Sequence, residues 1–223
     1  MKKLKLFIDR ALLCLNFRKF MDATFDIKKS NLTYLSAVFF CAIPMVSEAQ
    51  ILTETTVPIQ VGQKLGTDFW NRNHEIFDNG KLIVSNLSGD KGKFIIIDFW
   101  ASWCTTCIKK IPLLDSFQKA NSKLFKVVLV NPKRSRDSLT NITRIFSNIR
   151  TEVPDINATS IINDVYLANA FPYHYIPHYI WINAQGVVVA ITGYDLLTIA
   201  NLDAVLGRAQ RYIAKHPSTP KKP

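Results

Sequence analysis

Only four cysteines stand in 223 residues, and two of them, Cys14 and Cys41, lie in the first 49. The rest of the chain keeps Cys104 and Cys107 alone. A small scaffold stapled by disulfides needs several pairs, so that class is excluded. A structural zinc site needs four ligands. There is no second cysteine pair, and His74, His174, His178 and His216 show no paired ligand spacing, so no metal or other cofactor is expected. Long apolar runs are also missing. The stretch Leu32 to Val46 holds Pro44 and falls short of the ~20 residues a membrane span requires. Basic residues outnumber acidic ones by 28 to 17, for a net charge of +11, yet no basic stripe with interleaved aromatics is present. Beyond the first 49 residues the basic residues are scattered, apart from a short cluster at Lys133, Arg134 and Arg136 and Lys221-Lys222 in the tail. A solvated basic face is expected, and nucleic acid is not expected as a partner. The chain has no internal repeat and no low-complexity segment.

The first 49 residues read as a leader. Lys28-Lys29 precede the apolar stretch, and Ser47-Glu48-Ala49 supplies a small-x-small pattern before Gln50. That order of basic, apolar and small residues is what a secretory signal requires, with cleavage after Ala49. Met21 as the start would make the signal compact. An uncleaved anchor is the alternative. The bulky Phe39-Phe40 before Cys41 argue against lipid attachment there. Residues 50–223 then form one domain with a loose, Pro-rich tail from about 215. Of the 28 Lys/Arg and 17 Asp/Glu, residues 1–49 take eight and four; the domain keeps twenty and thirteen, or +7.

Against this sparse background one stretch stands out. The apolar run Phe94-Ile95-Ile96-Ile97 reads as a buried strand. Directly after it come Asp98-Phe99-Trp100-Ala101-Ser102-Trp103-Cys104-Thr105-Thr106-Cys107. A Cys-x-x-Cys opening a helix places two sulfurs one turn apart, where they can close a short disulfide. It also sets the first sulfur at a helix N-terminus, where partial positive charge favours a thiolate. This arrangement suits reversible thiol–disulfide exchange. A static local disulfide is the plainer reading, but so short a loop removes little chain entropy.

The remaining pattern predicts a strand–helix order. Residues 50–66 read as an extended lead-in. Residues 67–92 alternate around the turn signal Asp78-Asn79-Gly80, with Lys81 to Leu87 returning as a strand. A strand over 94–99 leads into a helix from Thr105 to Ala120, with Ile108, Ile111, Leu114 and Phe117 inward and Pro112 inside it. Leu124 to Val130 is a second buried strand. Ser138 to Ile149 is a helix with Leu139, Ile142, Ile145, Phe146 and Ile149 inward. Val153 to Ile162 is expected to be irregular, and Asp164 to Phe171 a short helix stopped by Pro172. His178 to Asn183 and Val187 to Ile191 form a hairpin about Ala184-Gln185-Gly186. Thr198 to Ile213 closes as a helix with Ile199, Leu202, Val205 and Leu206 inward. A strand–helix–strand start implies a right-handed parallel crossover, and the late hairpin adds antiparallel strands.

This order, the Asp98 to Cys107 stretch, Pro112 five residues beyond the second cysteine, and Ile176-Pro177 before the hairpin resemble the thioredoxin fold. Within it, they are similar to the TlpA-like exported bacterial thiol–disulfide oxidoreductases, over roughly residues 57–213. The resemblance implies an α/β thioredoxin-like fold: a central mixed sheet, helices on both faces and an N-terminal β-hairpin extension. It implies that Cys104 is the exposed nucleophile and Cys107 the buried resolving cysteine. Asp98 matches the buried acid that accepts the proton of Cys107. Pro177 matches a cis-proline that sets the backbone of Ile176 beside Cys104, where an extended substrate can pair. Trp103 covers the disulfide and lines that docking surface, whereas Trp100 belongs to the core. His178 reads as a packed or surface residue.

The resemblance further implies a monomeric reductase of the periplasm or cell envelope. Its partners would be disulfide-containing exported proteins and a membrane thiol electron donor. Thr105-Thr106 departs from the common pattern, where a proline precedes the second cysteine. That pair bears on the reduction potential and hence on the direction of exchange. A peroxidase of the same broad fold needs no Trp-Cys-x-x-Cys. The alternative of a different class is a non-enzymatic binding or chaperone module, with a peptide groove beside Pro177 and idle cysteines.

Overall fold

The computed structural model describes residues 57–215. The expected leader, the Met21 start and the tail lie outside the described residues. Chain order is α1 (Thr67–Asn71), β1 (His74–Asp78), β2 (Lys81–Ser85), β3 (Phe94–Phe99), α2 (Thr105–Ala120), β4 (Phe125–Pro132), α3 (Leu139–Glu152), β5 (Ser160–Asp164), α4 (Tyr166–Ala170), β6 (His178–Ile182), β7 (Val188–Thr192) and α5 (Ile199–Lys215). The strands form one sheet of seven in the order β2-β1-β5-β4-β3-β6-β7. β3, β4 and β5 run parallel, and β1, β2, β6 and β7 join them by antiparallel pairings. This is the expected mixed sheet of the thioredoxin-like fold. No helix among the described residues is long and apolar enough to cross a membrane.

The central position of β3 follows from its composition. All six residues from Phe94 to Phe99 are buried, because helices cover both faces of the sheet there. Ile95, Ile97 and Phe99 face one layer, with Phe69 and Trp70 of α1 and Leu167 of α4. Phe94 and Ile96 face the other, with Leu114 of α2 and Leu202 of α5. α3 joins that second layer through Ile142, Ile145, Phe146 and Ile149, packed with Ile111 and both cysteines. Ser138 caps α3 by accepting a hydrogen bond from the Asn141 N–H at 3.1 Å. At the first hairpin, Asn79 and Gly80 hold φ of 49° and 83°, the pair of positive values that a two-residue turn between twisted strands requires.

Four local expectations need correction. Against the expected irregular chain to Ile162 and helix from Asp164, that helix begins at Tyr166 and Ser160 to Asp164 is strand β5. It pairs with β4 on one side and β1 on the other, so the hairpin extension is built into the central sheet. Residues 67–71, read as part of an alternating segment, form helix α1, which buries Phe69 and Trp70 side by side. The returning strand ends at Ser85, and a 3-10 turn over Ser88–Asp90 follows. Leu139 and Ile199, expected inward, are exposed. Each is the first residue of its helix, where the chain is still approaching the layer it will pack on.

Candidate functional site

The site begins where β3 leaves the sheet. The Trp100 N–H still donates to the Val130 carbonyl of β4 at 3.0 Å, and its indole N–H donates to Ser160 Oγ at 2.9 Å. Trp100 is wholly buried and locks the end of β3 to β5, the core role expected of it. Ala101 turns the chain, and the Cys104 N–H donates back to its carbonyl at 3.0 Å. Cys104 is then the N-cap of α2: its Sγ accepts the Cys107 N–H at 3.3 Å. The sulfur therefore sits where the first amides of a 16-residue helix converge.

Cys104 and Cys107 are joined by a disulfide. Cys107 is fully buried and lies 3.9 Å from the Phe99 carbonyl oxygen, an acceptor within reach of its thiol when reduced. Cys104 is expected to be the exposed member. That expectation is corrected for the disulfide form, in which Cys104 is buried, with 6% exposure against 0% for Cys107. The Thr106 hydroxyl lies 3.5 Å from the Cys104 sulfur, so one of the two intervening threonines contacts the reacting atom.

Asp98 lies in β3, in register with Leu129 of β4 and Tyr179 of β6. Strand alternation puts its side chain on the face of Phe94 and Ile96, the face that α2 covers. The carboxyl is fully buried, and neither oxygen has a hydrogen-bond partner. Burial pushes its pKa up to about 8. Tyr179 shares that setting: its hydroxyl is also buried without a partner. Burial first, and then the nearby charge of Asp98, push the phenol far above its ordinary range.

The Ile176–Pro177 peptide bond is cis. Ile176 is half-buried and packs against the cluster that contains both cysteines. His178, next along, is a packed residue as expected. Its ring lies against Phe99 (5.6 Å between centroids) and stacks on Tyr173 (5.2 Å). Burial, with Arg134 nearby, pushes its pKa down to about 4, so the imidazole is neutral at physiological pH. Trp103 does not fold into the core. Its indole N–H reaches the Ser135 carbonyl at 3.3 Å, and the residue is 64% exposed.

The structure therefore brings Cys104, Cys107 and Ile176 into one packed cluster, puts Asp98 under the same helix, and places Trp103 at the rim. It also adds residues that the sequence reading did not single out for the site. Asp137 accepts hydrogen bonds from the Ser102 N–H (2.7 Å), the Ser102 hydroxyl and the Asn131 amide (2.7 Å), fastening the cysteine loop to the chain after β4. Nothing in Arg136-Asp137-Ser138 marks that carboxylate as inward. Arg134 donates to the Tyr173 carbonyl at 3.0 Å and lies 3.3 Å from that ring's centroid. Its basic cluster was visible in the sequence, but its place over the Tyr173 ring was not. Among the described residues no group of three or more His, Cys, Asp or Glu side chains could hold a metal ion.

A parallel-core mixed sheet whose central strand leads into a helix capped by a Cys-x-x-Cys disulfide defines a thioredoxin-fold protein. The chain belongs to the Redoxin family, whose sequence pattern matches residues 60–206. It is 28% identical over 104 residues to the thioredoxin-like protein YneN of Bacillus subtilis, covering 47% of this chain and 58% of that protein. It is 27% identical over 115 residues to the thiol-disulfide oxidoreductase ResA of the same organism, covering 51% and 59%. The matches thus span somewhat over half the length of these relatives. Among solved structures, PrxQ of Xylella fastidiosa aligns with a TM-score of 0.52 at 12% identity, over 70% of this chain and 98% of that one. At such identity the likeness shows the fold alone.

Proposed function

We propose that this protein is a TlpA-like thiol–disulfide oxidoreductase that reduces disulfides in exported proteins. The observation that carries the reading is the position of Cys104 Sγ, which caps α2 and accepts the Cys107 N–H. In the reduced protein the same amide, together with the helix N-terminus, stabilises a Cys104 thiolate. That thiolate attacks a client disulfide and expels one client thiolate, leaving Cys104 in a mixed disulfide. Cys107, one turn along, then gives its proton to Asp98 and attacks Cys104 Sγ. The client leaves as a dithiol, and the protein's own pair is left oxidised.

Trp103 and the half-buried Ile176, followed by the buried Pro177, mark the place where an extended client segment docks, pairing with the backbone at Ile176. Export rests on the leader pattern of residues 1–49, and a membrane thiol donor would restore the dithiol. The relative named ResA supports oxidoreductase chemistry. The reducing direction rests on the resemblance to the TlpA-like subgroup.

The reading is tested by insulin reduction with dithiothreitol as electron source. The expected result is catalysed precipitation that Cys104→Ser abolishes. Exposed Trp103 and Tyr175 (64% and 70%) favour a second reading, a binding module whose cysteines are idle. Under that reading the wild type would add nothing to the dithiothreitol background, while Cys104→Ser would retain any client binding. The direction is tested by equilibrating the 104–107 pair with glutathione: a strongly reducing potential agrees with a reductase, and one near the oxidising end overturns that part.

A further inference from the structure

We infer that the loop after β4 makes this protein selective for client polypeptides that carry acidic side chains beside the attacked cysteine. The inference rests on the exchange reading above and names the clients of that same site. Lys133–Ser135 form a single 3-10 turn, and Arg136 follows in the left-handed region at φ 58°. Lys133, Arg134 and Arg136 are exposed. The one acid among residues 133–137, Asp137, is turned inward to the Ser102 N–H and hydroxyl. The turn therefore presents positive charge outward with its negative charge withdrawn.

This turn is fastened to both walls of the site. On one side the Trp103 indole N–H donates to the Ser135 carbonyl, and Asp137 holds Ser102, two residues before Cys104. On the other side Arg134 donates to the Tyr173 carbonyl and lies over the Tyr173 ring, which stacks on His178, the residue after the cis-proline. Arg134 is thereby partly spent on structure. Among the described residues Lys133 and Arg136 make no ion pair. Two uncompensated cations thus stand on the rim between the cysteine loop and the proline loop. A solvated basic face would scatter such charges, whereas here they are held on a turn that is hydrogen-bonded to the reacting loop. Charges so placed speed the encounter with an acidic segment and discriminate against a basic one.

The test uses the full chain, reduced beforehand, and two synthetic disulfide-linked peptide dimers. One probe has aspartate on both sides of its cysteine; the other has serine. In each turnover the Cys104–Cys107 dithiol becomes the disulfide and the probe disulfide becomes two peptide thiols, so no outside reductant enters. Each rate is divided by that of dithiothreitol on the same probe, which removes differences in intrinsic reactivity. The expected acidic-to-neutral ratio is about tenfold at ~0.01 M salt, falling towards one at ~1 M, where the screening length shrinks to about 3 Å. In a Lys133→Ser/Arg136→Ser double variant the low-salt ratio should also fall towards one. A wild-type ratio near one at low salt overturns the inference, as does a ratio that the double variant leaves unchanged. If neither probe turns over, the exchange reading itself fails and takes the inference with it. Equal turnover of both probes removes the acidic preference alone.

Discussion

Asp98 carries the heaviest consequence of any single residue. Its carboxyl sits fully buried with both oxygens unpartnered, an arrangement that costs stability, and far more when the group is charged than when it is neutral. With its pKa near 8, a minority of molecules at neutral pH carry the carboxylate, and those can accept a proton without leaving the core. Asp98→Asn keeps the volume but loses that capacity. Release of client from the Cys104 mixed disulfide is therefore expected to slow by about a hundredfold near pH 8, more than formation of that adduct does. Rapid quenching in acid followed by mass analysis would show the adduct accumulating in the variant. No accumulation would end the proton-acceptor role for Asp98. Much of this was legible in advance, because an acid between Ile97 and Phe99 at the end of an apolar run has no route to water. Tyr179 was not legible. Its hydroxyl faces the same buried pocket of charge only because β6 pairs antiparallel with β3 in a register that sets it opposite Asp98, and no local pattern encodes that register.

At the scale of elements, β3 and α2 were readable to the residue, since a continuous apolar run and a three-to-four residue period are local signals. β5 was not. Its segment Ser160-Ile161-Ile162-Asn163-Asp164 is buried at every position but Asn163, so it shows no alternation, and only two of its five residues are apolar. Its identity as a strand depends on being clasped between β4 and β1. The loop between β4 and α3 was equally opaque, because Asp137 gains its hold on the cysteine loop through Ser102, 35 residues earlier. Removing that carboxylate tests the link. Asp137→Ala strands the Ser102 N–H and leaves the Asn131 amide only its longer bond to the Trp100 carbonyl, and is expected to lower stability by about 1–3 kcal/mol in urea unfolding. Asp137→Asn, which can still accept from the Ser102 N–H, should lose less. A change within about 0.5 kcal/mol for Asp137→Ala, the range of an ordinary surface site, would show that the loop is held by other means.

For the whole molecule, two buried titratable groups give stability a pH profile that neither produces alone. Asp98 has a folded pKa of about 8 against 3.8 for a free carboxyl. Between those values the native state holds a proton that the unfolded chain has shed, so stability falls as pH rises. His178 has a folded value of about 4 against 6.5. Between those, the unfolded chain binds a proton that the native state lacks, so stability rises with pH. The two slopes oppose each other from about pH 4 to 6.5 and largely cancel. Above that only Asp98 acts, and stability should decline towards pH 8 by at most ~1.4 kcal/mol per pH unit. Urea unfolding of the oxidised protein across this range checks the profile, and two variants separate its parts. Asp98→Asn should abolish the decline above pH 6.5 and uncover a rise below it. His178→Asn should leave a continuous decline from about pH 4 to 8. If the wild type and Asp98→Asn run parallel above pH 6.5, the Asp98 carboxyl is not protonated in the folded core, and it could then not serve Cys107 as a proton acceptor tuned to neutral pH.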